Sequence, residues 1–161
     1  LGQPLKNICN AVKRLVEDNK DIEVVYPVHL NPAVRETVFA ILGNMDRVHL
    51  IDPLDVEDMH NAMSKSFLVM TDSGGLQEEG PSFGIPVIVL RTETERPEAV
   101  DAGTVVIGGV DENNIYNLAN TLLNNPDEYN KMARAINPYG DGHASERIVK
   151  AIVEWKESKG N

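Results

Sequence analysis

Apolar positions recur along this chain with two different periods, and the switching between them predicts its elements. Near the start, Leu5, Ile8, Val12, Leu15 and Val16 fall on one face of a 3.6-residue repeat, so the chain opens in an amphipathic helix. Glu23 to His29 then gathers Val24, Val25 and Tyr26 before Pro27, the pattern of a buried strand running into a loop. Asn31 offers a side-chain cap and Pro32 a preset first turn for a second helix. Its inward face carries Val34, Val38, Ile41 and Leu42, and Gly43-Asn44 is its stop. Val48 to Ile51 reads as the next strand.

The alternation continues. Pro53 and Asp55 introduce a helix to about Lys65, and Phe67-Leu68-Val69-Met70 is a third apolar strand. Thr71 to Gly75 turns into a short helix that Gly80-Pro81 and Gly84 interrupt, after which Pro86 to Leu90 and Thr104 to Ile107 are strands. Asp111 begins a polar turn before an amphipathic helix with Ile115, Leu118, Ala119, Leu122 and Leu123 on one side, and a shorter helix follows Pro126. Asn137 to Gly142 is a Gly/Pro-rich loop before a last helix that lines up Ile148, Ala151, Ile152 and Trp155. Short apolar strands separated by helices imply crossover connections, so the expected fold is α/β, a doubly wound parallel sheet of Rossmann-like type. Ligands of such sheets lie beyond the C-terminal strand ends, here after Tyr26, Ile51, Met70 and Leu90.

Composition narrows the function. A chain of 161 residues with 42% hydrophobic and 25% charged residues suits one folded domain. No apolar run approaches the roughly 20 residues that span a bilayer, so a membrane is not an expected partner. A net charge of -10 opposes broad contact with phosphate backbones, which excludes nucleic acid from the expected partners. The single cysteine, Cys9, can form no internal disulfide, which suits a reducing compartment, and the cytoplasm is the expected location. The chain begins at Leu1 without a methionine and within a helical pattern, so it reads as part of a longer protein.

The segment Asp72-Ser73-Gly74-Gly75-Leu76-Gln77-Glu78-Glu79 follows a strand and opens a helix. Free N–H groups there attract anions, glycines allow close approach and Ser73 adds a hydroxyl, although Ser73 can equally be a plain helix cap. The segment fits neither the GxGxxG nor the Walker A pattern. Glu79, one turn beyond Gly75, suits ribose hydroxyls, and spacing does not decide whether Glu78 or Glu79 faces the cleft. Arg96 lies in the loop after the fourth strand, where it can grip phosphate or pair with Glu93, Glu95 or Glu98. His29 ends the first strand, where it can contact phosphate or pack its loop. His60 near Asp58, His49 and His143 make no metal-ligand pattern.

Tyr26-Pro27-Val28-His29-Leu30-Asn31-Pro32, Thr71 to Glu79, Thr94-Glu95-Arg96-Pro97-Glu98 and Asn137-Pro138-Tyr139-Gly140-Asp141-Gly142, in this order and spacing, resemble the non-hydrolysing UDP-N-acetylglucosamine 2-epimerases. The resemblance covers nearly the whole chain. It implies a GT-B-like enzyme with two Rossmann-like domains around a cleft, of which residues 1–161 are the C-terminal, UDP-binding one and the N-terminal domain is absent. It also implies interconversion of UDP-N-acetylglucosamine and UDP-N-acetylmannosamine for cell-envelope polysaccharide, in a homodimer without redox cofactor or required metal. By the same resemblance Ser73, Gly74 and Gly75 contact the UDP diphosphate, Glu79 holds the ribose and Arg96 contacts substrate. Met59 stands beside uracil where the family often has an aromatic residue, and His29 lies near a second, regulatory nucleotide sugar. The family's principal catalytic carboxylates fall outside this chain, so its catalytic residues are unassigned. A donor-binding domain of a GT-B glycosyltransferase and a non-catalytic sugar-nucleotide-binding module remain alternatives on the residues alone.

Overall fold

A computed structural model describes residues 2–159. The helices are α1 (Gln3–Asp18), α2 (Pro32–Leu42), α3 (Val56–Ser64), α4 (Gly74–Glu79), α5 (Pro97–Asp101), α6 (Glu112–Asn124), α7 (Pro126–Ala133) and α8 (Ala144–Lys159). The strands are β1 (Val24–Pro27), β2 (Val48–Ile51), β3 (Val69–Thr71), β4 (Val87–Val89) and β5 (Val105–Ile107), with a 3-10 turn at Gly80–Phe83. Every ladder is parallel: β1 pairs with β2 from Val24↔Val48 to Pro27↔Ile51, and β4 sits between β3 and β5 through Val69↔Val87 and Val87↔Val105. The hydrogen-bonded orders among the described residues are β1-β2 and β3-β4-β5. Met70 of β3 packs on the core that α1, α2 and β2 form, so the two ladders share an interior.

Alternation along β4 explains the layering. Ile88 points to one face, where it packs with Leu15 of α1 and Ala119 and Leu122 of α6. Val87 and Val89 point to the other, against Val105 and Ala99 of α5. Both faces of this ladder are therefore covered by helices, the arrangement expected of a doubly wound sheet. Burying a side chain of this size stabilises by about 1.5–3 kcal/mol, so these fully buried residues hold the layers together.

Local signals act largely as expected. Asn31, Asp55 and Asp111 each cap a helix through the side chain. Gly43 ends α2, but with φ -64 it is right-handed; a Cβ there would meet Phe39 O at 2.5 Å, so glycine serves close approach rather than a left-handed cap. Gly84, with φ 68, supplies the left-handed residue that ends the 3-10 turn. Phe67 falls before β3 and stacks on Tyr129, with ring centroids 4.1 Å apart. The α5 helix lies where the sequence reads as loop, because five residues are too short to display a period. The apolar residues of α8 are between 48% and 63% exposed at Ile148, Val149, Ile152, Val153 and Trp155, so this helix packs none of them into the core. No described helix is long and apolar enough to cross a membrane.

Candidate functional site

At the C-terminal end of β3 a short chain of backbone events leads into α4. Thr71 Oγ1 accepts from Ser73 N at 3.0 Å and turns the chain off the sheet. Ser73, extended at φ -80 and ψ 129, takes the cap position of α4, yet its side chain makes no capping hydrogen bond. The plain-cap reading of Ser73 therefore fails, and its hydroxyl is available to a ligand. Gly74, Gly75 and Leu76 are the first three helical residues, whose N–H groups have no partner within a helix. The first turn closes only at Gln77 N to Ser73 O, 3.4 Å.

Glu79 and Glu78 divide their work. A Cβ built on Gly75 would lie 3.7 Å from Glu79 Oε1 and 3.8 Å from Ser73 Oγ, so hydroxyl, glycine and carboxylate share one small space. The other oxygen, Glu79 Oε2, meets His60 Nε2 of α3 at 3.1 Å. Glu78 turns instead to Arg96, whose Nε donates to Glu78 Oε1. Arg96 thus pairs across the fold rather than with Glu93, Glu95 or Glu98; its only bond to that acidic run is Nη1 to the Glu95 carbonyl, 3.1 Å. The hydrogen bond it donates to Glu78 raises the guanidinium pKa, and Arg96 stays charged. Arg96 Nη2 points at the helix start, 3.9 Å from where a Cβ of Gly74 would stand.

The loop that carries Arg96 is tied down. Thr94 Oγ1 accepts from Arg96 N at 3.0 Å and donates to Oε1 of the buried Gln77 at 2.5 Å. A cleft of about 400 Å³ opens beside it, lined by Leu90 to Glu95 and Val110. Ser73, Gly74, Gly75, Glu79 and Arg96 are accordingly brought together. Met59 and His29 are not joined to them: Met59 is half-buried on α3 next to His60. His29 is exposed after β1, where its Nδ1 accepts from Asn31 N at 3.1 Å and braces the entry to α2. Sequence reasoning missed His60 and Thr94 as members of the cluster, since each meets a partner 17 or more residues away and no local pattern announces it. No group of three or more metal-ligating side chains occurs among the described residues.

A parallel α/β domain with an open helix start, a flanking carboxylate and a facing guanidinium at the strand ends belongs to the doubly wound class, whose ligands lie at the C-terminal edge of the sheet. The family model described as UDP-N-acetylglucosamine 2-epimerase matches residues 1–153, and the chain belongs to that family. The UDP-N-acetylglucosamine 2-epimerase of Bacillus subtilis (strain 168) is 58% identical over 153 residues, which is 95% of this chain and 40% of that protein. The enzyme of the same name from Escherichia coli (strain K12) is 49% identical over 151 residues, 94% of this chain and 40% of its own length. The S. aureus MnaA complex with UDP superposes with TM-score 0.90 at 51% identity, covering 98% of this chain and 43% of that one. The Neisseria meningitidis UDP-GlcNAc 2-epimerase bound to UDP-GlcNAc gives TM-score 0.88 at 44% identity, covering 95% and 41%. This chain therefore spans well under half the length of the relatives it matches, and its Rossmann-like fold is that of one part of a GT-B-like epimerase.

Proposed function

We propose that this chain is the C-terminal, UDP-binding half of an enzyme that interconverts UDP-N-acetylglucosamine and UDP-N-acetylmannosamine. The observation that carries the reading is the convergence of Ser73, Gly74, Gly75, Glu79 and Arg96 on the start of α4. In it the helix start and the Ser73 hydroxyl take the diphosphate, Arg96 Nη2 completes the anion site, and Glu79 accepts from ribose hydroxyls with His60 steadying its second oxygen. Met59 lies beside uracil, and His29 belongs to a separate, regulatory nucleotide-sugar site.

Chemically, UDP leaves across C1 and C2 of the sugar to give a 2-acetamidoglucal, and re-addition returns the opposite configuration at C2. The role of this half is to hold the leaving diphosphate through both steps. The acid-base groups that move the C2 proton come from the other domain, which together with this one encloses the cleft. The uncovered apolar face of α8 supports a larger assembly, and we place the whole enzyme in the cytoplasm as a homodimer serving cell-envelope polysaccharide.

The test is a titration of the chain with UDP, followed by backbone amide NMR, with UMP for comparison. Saturable shifts at Ser73 to Glu79, stronger for UDP, are expected. Absence of those shifts in both the chain and the full-length protein refutes the assignment. In the full-length protein, the C2 position of the substrate must exchange with solvent deuterium; no exchange and no UDP-N-acetylmannosamine refute the epimerase reading.

A further inference from the structure

Each of the two ladders ends in an open edge. In β1, Val24 N donates to Arg47 O and Val28 N to Ile51 O, so strand alternation turns the N–H and C=O of Val25 away from β2. In β3, Val69 N donates to Pro86 O and Thr71 O accepts from Leu90 N, so the N–H and C=O of Met70 turn away from β4. No ladder among the described residues joins β1 to β3. Val24 and Tyr26 pack into the core under α1, whereas Val25, on the opposite face, is 57% exposed, as expected of a strand with a bare flank. Unpaired edges of this kind are templates for another strand.

Handedness sets those two edges opposite one another. α2 carries β1 to β2 over the face that α1 also covers, with Val38 and Leu42 packed against Cys9 and Val12. α5 carries β4 to β5 over the other face, where Ala99 packs on Val87 and Val89. Right-handed crossovers on opposite faces step in opposite directions, so β2 lies outward of β1 and β5 outward of β3. Met70 of β3 reaches the β1–β2 core, which makes β3 the near end of its ladder. α1 enters β1 over the same face as α2, so its crossover steps the same way, and a strand running into α1 falls between β1 and β3. α1 already spans that gap: Val12 and Val16 reach the β1–β2 core, and Leu15 reaches Ile88 of β4. With a strand added there, the order is that of the doubly wound sheet, which reverses direction beside its first strand.

We propose that the protein's own chain directly upstream of residue 1 supplies this strand, parallel to β1 and β3, and closes the two ladders into one continuous sheet. Residues 1–161 cover 40% of the length of relatives such as the Bacillus subtilis enzyme, so the relatives hold chain outside this segment to supply it. Side chains on the face toward α1 are apolar and β-branched, as in a strand buried by helices. Pro27 has no N–H to offer the gap, so pairing on the β1 side rests on Val25. β3, which leads to Ser73, is then an interior strand rather than an edge, and the domain is larger than residues 1–161. The inference goes beyond the UDP reading and does not depend on it.

The test follows amide hydrogen exchange without ligand in the full-length protein, in this chain, and in this chain lengthened upstream by about ten residues of its own sequence, enough for a strand and its turn. In the full-length and lengthened proteins the Val25 and Met70 amides are expected to exchange at least about a hundredfold more slowly than in this chain. Val24 and Val69, whose N–H groups are already bonded to Arg47 O and Pro86 O, should change far less. Fast exchange at Val25 and Met70 in the full-length protein overturns the inference, whether or not the shorter proteins fold. Slow exchange at both in this chain alone overturns it too, because the edges are then closed without an added strand. Protection in the full-length protein that a folded, lengthened chain does not reproduce gives the gap to another segment and overturns the upstream one.

Discussion

Adding one methyl at Gly75 separates the fold from the anion site. The new Cβ would meet Glu79 Oε1 at 3.7 Å and Ser73 Oγ at 3.8 Å, ordinary van der Waals distances, and Gly75 is not among the left-handed glycines. Alanine therefore fits the free chain without strain. In a helix it is favoured over glycine by about 0.5–1 kcal/mol, and near the start of a six-residue helix we expect the lower end, a rise in Tm of about 1–2 °C. The same methyl fills the space between hydroxyl and carboxylate that a diphosphate must enter to reach the helix start. Losing that approach should weaken UDP binding at least about tenfold, roughly 1.4 kcal/mol. Thermal unfolding without ligand and calorimetric titration with UDP measure the two effects on the same samples. A Gly75→Ala variant of unchanged affinity would show that the anion does not sit at α4, and a fall in Tm of several degrees would refute the strain-free fit.

Arg47 donates through Nη1 to Asn19 O at 2.7 Å and Ile22 O at 2.9 Å and through Nη2 to Val16 O, closing the C-terminal end of α1. Arg47→Ala should cost about 2–4 kcal/mol in urea unfolding, with Lys restoring only part because an ammonium lacks the fork; a loss under about 0.5 kcal/mol counts against this role. Burial pushes the Cys9 thiol from 9.0 up to about 11, so the folded chain keeps a proton that the unfolded chain has released. Stability is then full below pH 9 and falls as pH rises from 9 to 11, by about 3 kcal/mol at most; Cys9→Ala should flatten that slope, and an unchanged slope would assign it elsewhere. Trp155→Ser on α8 should change the stability of this chain by less than about 0.5 kcal/mol and that of the full-length protein by more than about 2 kcal/mol, both read by denaturant titration. A large loss in the chain alone would contradict the exposed placement.

The strands and most helices were legible because period and cap coincide: Asn31, expected to cap, accepts from Ala33 N, and Asp55 and Asp111, which precede apolar-periodic runs, accept from Asp58 N and Asn114 N. Ser73 to Glu79 was legible as a strand-to-helix turn for the same reason, since strand, glycines and helix lie within one short segment. Partner choice was not. Arg96 has three glutamates within three residues of it, and local spacing favours them, yet its guanidinium side-chain partner is Glu78. That pairing depends on how the loop after β4 folds back over α4, which Thr94 and the buried Gln77 determine. His60 reaches Glu79 by the packing of α3 beside the 3-10 turn, again a tertiary fact. The final helix shows the converse: its apolar period is plain in the sequence, but period alone does not say what covers it.

If this chain holds UDP as proposed, the charges around α4 constrain how it does so. Arg96 is bonded to Glu78 and lies beside Glu95, in a chain of net charge -10, so net charge does not draw a diphosphate in. On the proposed reading, attraction comes from oriented backbone N–H groups at the start of α4 and from the Arg96 Nη2 that faces them. Such a site is selective before it is strong. In that reading backbone donors fix where the phosphates lie, Glu79 takes ribose hydroxyls, and the Arg96–Glu78 pair disfavours anions too small or too weakly charged to win the guanidinium. A diphosphate attached to a ribose would meet all three demands at the start of α4, where Ser73 Oγ and Glu79 Oε1 lie beside Gly75 and Arg96 Nη2 beside Gly74.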